Sequence, residues 1–160
     1  MLTMAGETYS KKALVIVNTL TGNTYSYVDF LKKSYVEYEF VVMTPRQVKR
    51  DGIELDYGKY DKIFIGTYTW GNGEIPIHIQ EFMDNHGSGI PTEKVLLFGS
   101  GQTVYEHFCG ALDRLASLMD IPSERVVKFE LYLDKGNPMY EDAVVQTDKF
   151  MRGKVRENGQ

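Results

Sequence analysis

The sequence predicts an α/β domain of three layers, a doubly wound parallel sheet of five strands with helices on both faces. Three observations carry this. Short apolar runs recur along the chain, stretches of helical period alternate with them, and the repeat of about 30 residues suits a strand–helix unit. The first run, Ala13 to Val17, is apolar on both faces and too short for a helix. A strand buried inside a parallel sheet reads this way. Phe40 to Met43, Ile63 to Gly66, Val95 to Phe98 and Val126 to Leu133 repeat the pattern.

Between the runs, apolar residues fall three and four apart. Val28, Leu31 and Tyr35 form one such set, and Ile75, Ile79 and Phe82 another. Phe108, Ala111, Leu112, Leu115 and Met119 give the cleanest stripe, and Tyr140, Val144, Met151 and Val155 a sparser last one. The segment from Arg46 to Tyr60 is polar, contains Asp51-Gly52 and makes the weakest helix. No repeat or linker interrupts the alternation. The expectation is one domain over residues 1–160, with its core at about 11–155 and loose ends at Met1 to Ser10 and Arg156 to Gln160.

Composition narrows the function classes. With 160 residues, 42% hydrophobic and 25% charged, the chain is ordinary for a soluble globular protein. A domain of this size buries roughly 70% of its unfolded surface and needs no disulfide or metal staple. A count of 18 basic and 22 acidic residues, net −4, gives nucleic-acid binding no support. Cys109 is the single cysteine, so no internal disulfide forms, and a reducing cytoplasm is the natural compartment. No apolar run approaches a membrane span, and Met1 to Lys12 lacks the apolar core of a signal peptide. His78, His86 and His107 show no metal-ligand spacing, so no metal is expected.

In doubly wound sheets ligands bind beyond the carboxyl ends of the strands, where strand order reverses. The loops after the first, third and fourth strands are therefore the informative ones. The first is Thr19-Leu20-Thr21-Gly22-Asn23-Thr24, running straight into a helix. Gly22 permits a tight turn, and the first helical turn offers backbone N–H groups and the positive end of the macrodipole. Hydroxyls of Thr19, Thr21 and Thr24 and the amide of Asn23 add donors, with no Lys or Arg among them. Such a nest suits a terminal phosphate. It lacks the lysine of a triphosphate-binding loop. A capped helix with incidental threonines is the plainer reading.

The loop after the third strand is Thr67-Tyr68-Thr69-Trp70-Gly71-Asn72-Gly73-Glu74. Its Trp70 is the only tryptophan of the chain and stands outside any apolar period. An aromatic on a glycine-flanked loop over a crevice suggests stacking on a planar ring. The alternative is a tryptophan that covers a sheet end. After the fourth strand comes Gly99-Ser100-Gly101-Gln102-Thr103-Val104-Tyr105, leading to Phe108, Cys109 and Gly110. Gly99 and Gly101 would let main chain approach a ligand, and Tyr105 is a second aromatic. Val104 stands where a dinucleotide fingerprint needs its third glycine. Phe108 reads as core, and Cys109 as a packing residue at a helix start rather than a nucleophile. Taken together the loops describe a site for a phosphorylated planar heterocycle.

The wording of all three loops closely resembles the flavodoxin family. Thr19 to Thr24 follow its T-x-T-G-N-T pattern, Thr69-Trp70-Gly71 its T-W-G, and Phe98 to Ala111 its F-G-x-G-x-x-x-Y-E-x-F-C-G-A. The resemblance implies a flavodoxin-like sheet of order 2-1-3-4-5 and non-covalently bound flavin mononucleotide (FMN). It also implies a short-chain member, since Val126 to Leu133 reads as unbroken. By matching position, Thr19, Thr21, Asn23 and Thr24 would hold the phosphate, and Trp70 and Tyr105 would flank the isoalloxazine. The Gly71 carbonyl would turn toward flavin N5 as the first electron and proton arrive. Leu20, Gly22, Tyr68, Thr69, Asn72, Gly73, Ser100, Gly101, Gln102 and Cys109 complete the implied surroundings of the cofactor.

The implied function is that of a low-potential one-electron carrier in the cytoplasm, a monomer without catalytic residues. Its implied partners are ferredoxin/flavodoxin NADP reductases and low-potential enzymes such as pyruvate oxidoreductases. The alternative on the same fold is an FMN reductase that uses NAD(P)H on a small acceptor such as a quinone. A specialised activator role, supplying a ribonucleotide reductase, is opposed by the Trp70 loop. A phosphoacceptor receiver domain needs aspartates where Asn18 and Thr67 stand. Glu74, Glu106, Asp134, Glu141 and Asp142 read as rim charges that could meet a basic partner, or as solvated acids. Asp51, Glu54, Asp56 and Asp61 read as a solvent face.

Two departures from the family pattern concern charge. Asn72 and Gln102 stand where many relatives carry aspartates, and Tyr68 is bulkier than the small residue common there. Flavodoxins are usually more acidic than net −4, so steering toward basic partners is weak here. The second electron puts negative charge on a ring enclosed in low dielectric, which nearby carboxylates oppose. The second reduction potential is therefore expected to be less negative than in acidic relatives. Redox titration of Asn72→Asp and Gln102→Asp should show that potential falling; an unmoved potential refutes the charge argument.

Overall fold

Each continuous apolar run becomes an interior strand, because only a sheet covered on both faces removes all of its side chains from water. The computed structural model describes residues 9–19, 22–69, 73–104 and 107–153. In order these form β1 (Lys11–Asn18), α1 (Tyr25–Ser34), β2 (Tyr38–Met43), α2 (Pro45–Arg50) and β3 (Lys62–Thr67). They are followed by α3 (Ile77–His86), β4 (Val95–Gly101), α4 (Gly110–Met119), β5 (Val126–Glu130) and α5 (Tyr140–Arg152). All pairings are parallel and the strand order is 2-1-3-4-5, as the sequence implies.

Alternation of side chains divides the core in two. Ala13, Val15 and Val17 face α1 and α5 together with Phe64, Phe98 and Phe129. Leu14 and Ile16 face α2, α3 and α4, where Ile63, Ile65 and Leu97 meet Ile79, Leu112 and Leu115. Tyr27 of α1 is fully buried and stacks on Phe98 with ring centroids 4.5 Å apart. Its hydroxyl pairs with that of Thr147 at 2.7 Å. Tyr35, at the end of α1, donates to the buried carboxylate of Asp148, with Arg152 Nε 3.6 Å away. Burial, and then the neighbouring Asp148, push the Tyr35 phenol well above its ordinary pKa. These two polar pairs explain why the last helix shows a sparse apolar stripe: α5 buries Thr147 and Asp148 against tyrosines of α1.

Besides Ile75 and Phe108, which fall just ahead of α3 and α4, the elements differ from the sequence reading in three places. The polar stretch after β2 forms the six-residue α2, started by a Thr44–Gln47 capping box and closed before Gly52, and a single 3-10 turn at Tyr57–Lys59. Asp56 and Asp61 in this region do more than meet solvent. They accept from the Gly58 and Lys12 backbone N–H groups, at 3.1 and 3.0 Å. β4 continues through Gly99, Ser100 and Gly101, which pair with Lys128, Phe129 and Glu130. β5 in turn stops at Glu130, since Leu131 adopts a left-handed φ of 56°. Val155 lies outside the described residues.

One glycine underpins the α1/α5 core. A Cβ at Gly66 of β3 would lie 2.2 Å from the Phe98 ring, directly across the β3–β4 pair. Tyr27 stacks on the same ring and leaves it little room to retreat. Gly66→Ala should cost about 1–3 kcal/mol in urea unfolding, the range of an overpacked core. Adding Phe98→Leu to it should recover part of that loss, because the two sites share one space.

Candidate functional site

β1 ends at Asn18, and the turn that follows brings the chain into α1. Gly22 holds φ at +90°, the left-handed region, while a Cβ there would meet nothing within 4 Å. The backbone conformation therefore demands glycine, not crowding. The Gly22 N–H donates to Thr19 Oγ1 at 3.0 Å, closing the turn. Thr24 occupies the N-cap of α1 without capping it. Its buried hydroxyl instead pairs with that of Ser100 on β4, at 2.8 Å. Ser26 donates to the Asn23 carbonyl and accepts from the Leu133 N–H at 2.9 Å. The start of α1 is thus tied to β4 and to the segment after β5. The first turn of α1 has no acidic residue and its last turn carries Lys32 and Lys33, which leaves the positive end of the dipole uncompensated by side chains. Leu20 and Thr21 lie outside the described residues.

After β3, the Thr67 hydroxyl donates to the Tyr68 carbonyl at 2.9 Å, and Tyr68 is half-buried. Thr69 Oγ1 accepts the Ala111 N–H from the first turn of α4 at 3.2 Å. Gly73 and Gly110 then interlock. A Cβ on Gly110 would fall 2.9 Å from Gly73 Cα, and one on Gly73 would fall 3.0 Å from His107 Cβ. The loops after β3 and β4 therefore touch through main chain, with Glu74 exposed beside them. Trp70, Gly71 and Asn72 lie outside the described residues.

The glycines of the third loop belong to strand β4, a correction to the loop reading of Gly99 to Gly101. A Cβ on Gly99 would sit 2.3 Å from the Thr67 carbonyl oxygen, and one on Gly101 3.0 Å from Cys109 Sγ. Both glycines serve the packing of the chain upon itself. Cys109 is buried in a left-handed conformation with φ 52°, its sulfur 3.7 Å from the Gly99 carbonyl. Burial pushes its thiol up to about 12, so it is no nucleophile at neutral pH. Gln102 is exposed, and Tyr105 and Glu106 lie outside the described residues.

Glu130 was invisible to motif reasoning. It reads as one more residue of a strand, yet its Oε2 accepts from both the N–H and the hydroxyl of Thr103, at 3.0 and 2.7 Å. These bonds hold its carboxyl below the ordinary glutamate pKa. Asn18 was also missed. The residue is 7% exposed, and its Nδ2 is buried with no hydrogen-bond partner among the described residues. Such a donor at the carboxyl edge of β1 suits an acceptor brought by a ligand. Together with the Thr19–Gly22 turn and the neutral hydroxyls, it fits a cofactor rich in oxygen acceptors.

Among the described residues no group of three or more His, Cys, Asp or Glu could hold a metal ion. No helix among them is long and apolar enough to cross a membrane. The described parts of the site combine neutral donors, glycine-lined contacts and the Glu130 carboxylate at one edge of a parallel sheet.

The chain as a whole is similar to known proteins. Residues 15–145 match the profile of the flavodoxin family. The probable flavodoxin 2 of Bacillus subtilis is 34% identical over 105 residues, 65% of this chain and 69% of that one. The flavodoxin of Maridesulfovibrio salexigens is 26% identical over 136 residues, 83% of this chain and 92% of that one. Among solved structures, a short-chain flavodoxin associated with a PDU bacterial microcompartment superposes with a TM-score of 0.65 at 20% identity. It covers 86% of this chain and 98% of its own. The Fusobacterium nucleatum flavodoxin bound to flavin mononucleotide gives 0.51 at 22% identity, over 79% of this chain and 74% of its own. The chain belongs to the flavodoxin family. That family consists of FMN-binding electron-transfer proteins rather than enzymes.

The Glu130–Thr103 clamp has a pH dependence of fixed sign. A carboxylate whose pKa is lowered on folding stabilises above its unfolded value and loses that contribution as pH falls through the folded one. Amide-exchange protection of Thr103 should therefore persist at neutral pH and decline below the ordinary glutamate range. Glu130→Gln should lower it already at pH 7. The unfolding midpoint should barely move, because the carboxylate is solvent-exposed. Equal protection in both proteins at pH 7 would show that the clamp does not order the loop.

Proposed function

We propose that this chain is a low-potential one-electron carrier that holds FMN at the carboxyl edge of β1, β3 and β4. The observation that carries this reading is the cross-linking of the three loops, with Thr24 hydrogen-bonded to Ser100 and Thr69 to Ala111. Bound FMN supplies the chemistry, the uptake and release of electrons one at a time. The protein's own residues bind, orient and shield. Thr19, Thr21, Asn23 and Thr24, with the N–H groups at the start of α1, take the phosphate through neutral donors. Trp70 and Tyr105 would cover the two ring faces, and the Gly71 carbonyl would accept a hydrogen bond from an N–H at the ring edge. These three roles rest on the family pattern. Tyr68, Asn72, Gly73, Gly101 and Gln102 would complete the wall, with Cys109 packed against Gly101.

A diffusible carrier needs partners rather than substrates. The reading assigns it ferredoxin/flavodoxin NADP reductases as donors and low-potential oxidoreductases as acceptors, met by the monomer in the cytoplasm. Modest net charge makes those encounters weakly steered and only mildly salt-dependent.

The test is a flavin titration of the purified protein followed by stepwise reduction. Stoichiometric quenching of FMN fluorescence and two resolved one-electron steps are expected. Failure to bind FMN would overturn the reading. Rapid oxidation of NAD(P)H by the loaded protein in one two-electron step would replace the carrier with a reductase.

A further inference from the structure

Resting on the FMN reading above, we infer that Asn18 is an additional cofactor-binding residue whose side-chain amide donates to an oxygen of the ribityl phosphate chain. The residue precedes the T-x-T-G-N-T motif and forms no part of it. It is the last residue of β1 and pairs in register with Thr67, the last residue of β3. Its place is therefore the carboxyl end of the two central strands, with the Thr19–Gly22 turn on one side and the Thr67–Thr69 segment on the other.

The accounting of its polar atoms carries the inference. Asn18 is more than nine-tenths buried and Nδ2 has no partner among the described residues. The neighbouring hydroxyls make other bonds, and neither accepts from Nδ2. The Thr67 hydroxyl donates to the Tyr68 carbonyl, and Thr19 Oγ1 accepts from Gly22. Alternation along β1 puts Asn18 in line with Leu14 and Ile16, where an aliphatic residue would extend the apolar core. An amide at such a position is disfavoured unless something accepts from it. The acceptor need not belong to the chain. Phosphate oxygens and ribityl hydroxyls are both oxygen acceptors, and both lie along the cofactor that the adjoining turn receives.

This assignment separates the two states of the protein. Without cofactor, the donor is a liability, and an apolar residue of similar volume should be tolerated or stabilising. With cofactor, the same replacement removes a bond to the ligand. The experiment compares wild type, Asn18→Leu and Asn18→Asp by urea unfolding of the apoprotein and by fluorescence titration with FMN and with riboflavin. For Asn18→Leu, an unchanged or raised apoprotein midpoint with FMN affinity at least ~10-fold weaker is expected. Asn18→Asp should bind more weakly still, since it sets an acceptor against an acceptor. Weakening confined to FMN identifies the phosphate as acceptor, and equal weakening for riboflavin identifies a ribityl hydroxyl.

FMN affinity unchanged in both variants would overturn the inference, as would an apoprotein destabilised in proportion to the lost affinity. A second measurement needs no variant to be folded. In protein labelled with 15N-asparagine, the Asn18 amide protons should shift downfield on FMN binding, and an unmoved resonance refutes the bond. Wild-type protein that fails to bind FMN at all would instead refute the function on which the assignment rests.

Discussion

Parallel pairing throughout the sheet governs everything else in this molecule. Because every strand points the same way, every strand-to-helix loop leaves from one edge, and the order 2-1-3-4-5 sets β1, β3 and β4 side by side there. Proximity alone would leave three independent loops. What joins them is a small set of close contacts that only small side chains allow. The Thr24–Ser100 hydroxyl pair reaches from the first loop to β4, past β3. Thr69 reaches the first turn of α4, and Gly73 meets Gly110 at a distance that excludes any side chain on Gly110. A larger residue at any of these points would separate the loops, so the sequence motif is as much a packing requirement as a binding one.

The same economy shows in how α1 begins. A threonine at the N-cap would ordinarily spend its hydroxyl on its own helix. Thr24 spends it on Ser100 instead, and no acidic residue stands in the first turn to offset the positive end of the dipole. The helix start is fixed from outside, by β4 and by the Leu133 N–H on Ser26. A neutral loop with an uncompensated dipole attracts an anion without a cation that would also attract competitors. Selectivity then comes from shape and hydrogen bonding rather than net charge.

Strand positions and their order along the chain were legible because residues apolar on both faces have only one place in an α/β fold. The residues that depart from the reading do so for three-dimensional reasons. Gly99 to Gly101 look like a loop, and become strand because the Thr67 carbonyl and Cys109 lie where their side chains would be. Thr147 and Asp148 weaken the stripe of α5, and are buried because Tyr27 and Tyr35 arrive from α1, more than a hundred residues earlier in sequence. The three loops were recognisable as a site because their residue types and order match a family pattern. Glu130 and Asn18 carried no such signal. One reads as strand and the other as strand end, and only burial and hydrogen-bond partners distinguish them.

A buried donor held without a partner links stability to binding. On the assignment of Asn18 as a ligand donor, the cofactor-free protein carries an unsatisfied amide that costs about 1–3 kcal/mol. That cost disappears when an oxygen acceptor arrives, so the free energy of binding includes relief of a strain in hydrogen bonding as well as new contact. Any ligand that binds the native state stabilises it by mass action. Here the stabilisation would be larger than contacts to preformed, satisfied loops could supply. Among the described residues other side chains along the edge are paired within the protein, Thr24 with Ser100, Thr69 with Ala111 and Thr103 with Glu130. Loop residues already tied to β4, α4 and β5 receive a ligand with little reorganisation, which lowers the ordering cost of binding for a carrier that must hold its cofactor through many partner encounters.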